Sequence, residues 1–203
     1  MLEAKPLKYK ELPGISEKQL NEHHDVLYAG YVKKYNEISE KLKDVELEDA
    51  NGTYSEIREL QLEKTFALNG ARLHEYYFDN MTTDPKECDG TIRKLIEEKW
   101  GSYDSWAKEF SAMGVASRGW VILGLDLDNA PSLDNYLCDA HNQGGAWNTG
   151  AILVMDVYEH AYFIDYATAR KEYISAFMKN IDWDVVNSRL PKWINEKYTD
   201  KSN

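Results

Sequence analysis

Between residues 16 and 44, apolar side chains recur at Leu20, Leu27, Tyr31, Val32, Tyr35 and Ile38, the spacing of one helix face. Ser16 with Gln19 three positions on is a capping-box signature for its start. Asp49-Ala50-Asn51-Gly52 breaks the pattern. Ser55 is then placed to cap a second helix over 56–80, with Ile57, Leu60, Phe66, Leu73 and Tyr77 turned inward. Two long helices with a short break predict an antiparallel hairpin. Asn80 to Pro85 reads as a linker, and helical patterns resume at 91–100 and 103–113. The character then changes. Residues 119–125 are β-rich, 133–140 is a second candidate strand and 151–157 a third, with acidic residues at 126–128 and Pro131 turning the first into the second. Helical patterning returns from 158 through Asn180 and from Asp184 to about Tyr198. The layout predicts an α+β chain in two domains: an N-terminal helical hairpin over 1–85, and a C-terminal domain over 86–203 whose three-stranded antiparallel sheet, read as a meander, is flanked by helices.

Composition narrows the partners. The 203 residues carry a net charge of −11, which argues against nucleic acid or an anionic membrane and, at first sight, against an anionic substrate. Two cysteines without a CxxC predict no disulfide and a cytoplasmic location. The N-terminus has no apolar core of a signal peptide, and the longest apolar stretch, Ala151 to Met155, is far short of a membrane span.

The chain has only five histidines: His23, His24, His74, His141 and His160. Asp156 and His160 are four apart, so both can face one side of a helical turn. Imidazole and carboxylate are ligand types that iron and manganese accept. Such a pair alone is more often two solvated neighbours, but this one follows an apolar run, where uncompensated charge is costly. His23 lies early on the first predicted helix and His74 late on the second, so an antiparallel hairpin lets them meet. Taken singly, His23 reads as an exposed polar residue and His74 as a core histidine. Together the four make a set of three histidines and one carboxylate.

Asp156-Val-Tyr-Glu-His-Ala-Tyr-Phe163 resembles the D-x-W-E-H-A-Y-Y signature of the iron/manganese superoxide dismutases. The segments His23 to Val32, Asn69 to His74 and Arg118 to Leu123 resemble that family's two helix-borne ligand motifs and its G-S-G-W segment. The resemblance runs over roughly the whole chain. It implies disproportionation of superoxide to oxygen and hydrogen peroxide by a homodimer, or a tetramer. His23, His74, Asp156 and His160 would hold one iron or manganese ion per subunit, between the two domains. It further implies that Tyr31 guards the substrate channel, Trp120 walls the pocket, and Glu159 reaches the ligand histidine of a second subunit.

Departures from the family pattern matter too. Gly70 stands where typical iron enzymes carry a glutamine against the metal-bound water. His141, fifteen residues before Asp156, and Gln143 are the alternatives for that role, His141 being preferred. Leu27 and Phe163 replace a histidine–tyrosine relay across the dimer interface, which predicts an apolar contact, since replacing both partners of a buried hydrogen bond is close to neutral. Tyr158 and Phe78 replace tryptophans. A metal-binding family member with only a structural role is the alternative; the complete ligand set and Tyr31 favour the enzyme. Oxygen chemistry on an organic substrate usually wants two histidines and one carboxylate, and is disfavoured.

Overall fold

Residues 17–41 form one helical rod in three parts: α1 (Glu17–Asn21), a π-helical segment π1 (Glu22–Tyr28) and α2 (Ala29–Lys41). This computed structural model describes residues 1–199; the last four residues of the expected second domain, 200–203, lie outside the described residues. The Ser16 hydroxyl caps the rod, accepting from Gln19 N at 3.1 Å. The reciprocal arm of the expected capping box is not made. The Gln19 side chain instead donates to the His160 carbonyl at 2.6 Å and accepts from Ile164 N at 3.1 Å. α3 (Glu56–Asp79) returns antiparallel, so that His23 meets Phe78 edge-on while Tyr31, about two turns on, meets Phe66. Ser55 precedes α3 but makes no side-chain capping bond; its hydroxyl bonds to Asn51.

The second half begins with α4 (Gly90–Trp100) and α5 (Tyr103–Ala116), followed by β1 (Trp120–Asp126), β2 (Ser132–Cys138) and β3 (Thr149–Asp156). The sheet is antiparallel with order β2-β1-β3, so it is not the expected meander: β3 returns to the far side of β1. The reason lies in β1, where Trp120 through Leu125 are all buried; so apolar a strand belongs in the middle of the sheet. The register sets Trp120 opposite Asp156 on one side and Cys138 on the other. A 3₁₀ turn (Glu159–Ala161) and α6 (Phe163–Tyr166) lead to α7 (Arg170–Lys179), α8 (Trp183–Ser188) and α9 (Lys192–Thr199). One buried apolar cluster runs from Leu20, Tyr28 and Tyr77 of the hairpin to Leu153, Phe177 and Val186 beyond it. Cys88 and Cys138 are buried free thiols. Among the described residues no helix is long and apolar enough to cross a membrane.

Candidate metal centre

Four side chains converge from π1 (His23), α3 (His74), the last residue of β3 (Asp156) and the 3₁₀ turn (His160), with ligating atoms all within 4.8 Å of one another. Asp156 Oδ2 lies 3.1 Å from His23 Nε2, 3.3 Å from His160 Nε2 and 3.5 Å from His74 Nε2. His23, His74 and Asp156 are buried and His160 partly so. Tyr158 N donates to the other carboxylate oxygen, Oδ1, at 2.9 Å, which aims Oδ2 at the histidines.

His74 decides what this cluster is built for. Its Nδ1 donates to the Gly70 carbonyl at 2.6 Å, so Nε2 carries a bare lone pair. That lone pair faces a carboxylate oxygen in a dry interior and has no hydrogen-bond partner. Two electron-rich atoms so placed repel each other, and a cation between them removes both the repulsion and the unsatisfied atom. Protonation agrees. Burial pushes the His23 and His74 imidazoles below their ordinary value, into the neutral form that ligates. Burial alone would raise the Asp156 carboxyl, but His160 and His23 outweigh it and hold it well below the carboxylate range.

Two local structures differ from expectation. Asp156 and His160 do not share a helical turn: the aspartate ends a strand, and the turn begun by its bond to Tyr158 N carries the histidine back. The first helix is not uniformly α either. Two α turns span about 7.2 residues, and the additional residue of a π turn brings this to about 8.2. His23 and Tyr31 are eight apart, so π1 sets both on one face.

Residues 1–82 match the family model for the alpha-hairpin domain of iron/manganese superoxide dismutases, and residues 88–189 match that for their C-terminal domain. The chain belongs to the iron/manganese superoxide dismutases. It is 47% identical over 190 residues to the superoxide dismutase [Fe] of Aquifex pyrophilus, covering 92% of this chain and 89% of that one. It is 36% identical over 186 residues to superoxide dismutase [Mn] 2 of Haloferax volcanii, covering 90% and 91%.

Around the four converging side chains stands an aromatic wall. Trp120 is fully buried, its ring 4.9 Å from that of His74. Tyr31 stacks on His74 at 5.3 Å and meets His141 edge-on at 4.7 Å. Tyr158 lies flat against His160, and Phe78 packs on His23. The two strand-side alternatives separate. His141 is buried, and its Nδ1 accepts from Trp120 Nε1 at 3.0 Å, whereas Gln143 is exposed in the tight turn closed by Gln143 N on the Ala140 carbonyl. An indole nitrogen only donates, so His141 keeps its proton on Nε2; burial pushes this imidazole down to about 4. Glu159 and Phe163 are exposed on the single chain and Leu27 is half-buried. One residue escaped sequence reasoning. Gln19 is 1% exposed and clamps both sides of the His160 turn; its only signal, a glutamine three after a capping serine, has an ordinary explanation.

Proposed function

We propose that the protein disproportionates superoxide: two superoxide anions and two protons become one oxygen and one hydrogen peroxide. The observation that carries this reading is the bare His74 Nε2 facing the buried Asp156 carboxylate, with His23 and His160 completing the donor set. These four residues hold one iron or manganese ion, which when bound supplies one-electron oxidation and reduction. The surrounding residues manage access and protons. Tyr31 guards the channel and donates protons; burial, then the Asp156 charge, raises its pKa and keeps the phenol protonated. Trp120 holds His141 so that Nε2–H is free to donate into the site. Gln143, exposed, is assigned no contact there.

The assembly is a homodimer in this reading. The exposure of Phe163 (48%), Ile164 (45%) and Val26 (58%) supports it, and Glu159, exposed on the single chain, would then reach His160 of the second subunit. Leu27 and Phe163 then meet between copies, which leaves proton delivery to Tyr31 and water. The two domains are 1–85 and 86–203 with the metal between them, and the two unpaired buried cysteines support a cytoplasmic location.

The test is to load the apoprotein separately with iron and manganese, quantify bound metal and assay each form. Activity is expected in at least one. Full occupancy with activity in neither overturns the reading.

A further inference from the structure

β3 has β1 on one side and, among the described residues, no strand on the other. Its outer backbone groups are met by side chains instead. Val154 N donates to Asn80 Oδ1 at 2.9 Å and Val154 O accepts from Asn80 Nδ2 at 3.3 Å, so one amide stands in for a neighbouring strand. Two residues to either side, the Ile152 carbonyl accepts from Arg189 Nη1 at 2.8 Å and the Asp156 carbonyl from the Tyr173 hydroxyl at 2.6 Å.

Asn80 has a second set of partners. It caps the C-terminus of α3, six residues after His74, and its Nδ2 also donates to the Tyr77 carbonyl at 3.0 Å. Its Oδ1 accepts a further bond from Arg189 Nη1 at 3.2 Å. Arg189 is itself held, by the Tyr76 carbonyl at 3.1 Å and Asp79 Oδ2 at 3.0 Å, with its guanidinium 4.6 Å from the centre of the Tyr76 ring. The amide is fully buried and all its bonding capacity is used. The path from one end of the cluster to the other is therefore short: His74, the last five residues of α3, the Asn80 amide, Val154, and two residues of strand to Asp156.

We propose that Asn80, locked by Arg189, is a positioning residue for the metal centre, fixing the separation of His74 from Asp156 and through it the affinity and symmetry of the metal site. This rests on the metal-site reading above. Groups that orient metal ligands from outside the coordination sphere typically contribute about 10- to 100-fold in metal affinity.

The experiment compares the wild type, Asn80→Ala, Arg189→Lys and a control, Phe110→Leu, which disturbs the core at a buried residue of α5 that bonds to neither Asn80 nor Arg189. Each is loaded with manganese. Affinity is read by competition with a chelator well below the melting temperature, and ligand symmetry by the zero-field splitting in the manganese(II) EPR spectrum. Asn80→Ala is expected to lose about 10- to 100-fold in affinity and to alter the splitting. Arg189→Lys keeps the charge but not the fork, and shifts both readouts the same way by less. Phe110→Leu lowers the melting temperature and moves neither. Should Asn80→Ala fail to fold, Arg189→Lys decides. The proposal is overturned if the folded variants keep wild-type affinity and spectrum, or if the control reproduces their changes. Absence of metal binding by the wild type overturns the functional reading and the proposal together; wild-type binding with unaffected variants overturns the proposal alone.

Discussion

Gly70 serves two neighbours at once. Its carbonyl accepts a hydrogen bond from His74 Nδ1–H and so aims Nε2 into the cluster, while its missing side chain makes room for Tyr31. A Cβ there would stand 2.8 Å from Tyr31 Cδ1 and 3.0 Å from Cγ. The tyrosine cannot easily yield, being packed among Phe66, His74 and His141. Helix propensity argues the other way, since alanine gains about 1 kcal/mol over glycine inside a helix. Overpacking costs about 1–3 kcal/mol, so the contact with Tyr31 decides the sign. Gly70→Ala is expected to give no gain in melting temperature and, if Tyr31 guards the channel as proposed, to lower the superoxide rate several-fold by displacing it. A raised melting temperature with an unchanged rate would show that Tyr31 moves aside freely.

Between elements, the end of α3 is fastened by charge as well as by the Asn80 amide. Asp79 pairs with Lys8 of the N-terminal segment and with Arg189 after α8. Burial pushes its carboxyl upward, but the bonds from Lys8 and Arg189 prevail and hold it below the usual value. A depressed folded-state pKa contributes stability above the unfolded value, about 3.9, and loses it as pH falls through the folded one. Asp79→Asn should therefore destabilise modestly at pH 7, the pairs being half exposed, and flatten the loss of stability on acidification below about pH 4. Parallel melting curves for wild type and variant from pH 7 to pH 3 would rule this out. The helices of this scaffold were legible because a 3.6-residue period survives in the apolar positions, and the hairpin they form was enough to bring His23 to His74. The π turn was not legible: it changes which carbonyl each N–H meets without changing which residues are apolar. The order β2-β1-β3 was hidden too, because strand patterns show which residues are buried and not which strand lies between the others. Gln19 and Asn80 were read as cap and linker, since their long-range partners lie 141 and 74 residues away.

For the whole molecule, a charge of −11 seems a poor welcome for an anion, yet fields fade over about 8 Å at physiological salt, so local charge governs approach. Of the basic residues near Tyr31 and after the 3₁₀ turn, Lys33 and Lys34 share Glu37, while Arg170 and Lys171 pair with no carboxylate among the described residues. The same scale decides the fate of the apolar surface. Val26, Phe163 and Ile164 are exposed on segments flanking the metal ligands His23 and His160, and His160 itself keeps 25% of its side chain accessible in one chain. A second copy laid over this face buries the aromatic ring and shuts solvent away from a ligand, so assembly and metal retention should fail together. Sedimentation is expected to give twice the chain mass of 23.5 kDa for the wild type. Phe163→Asp, which places a charge on the face a second copy would cover, should shift the protein to the monomer mass and speed metal loss to a chelator, with the helical content of each chain intact. A variant that stays dimeric would place the interface elsewhere, and a monomer that holds metal as tightly as the wild type would separate assembly from the metal site.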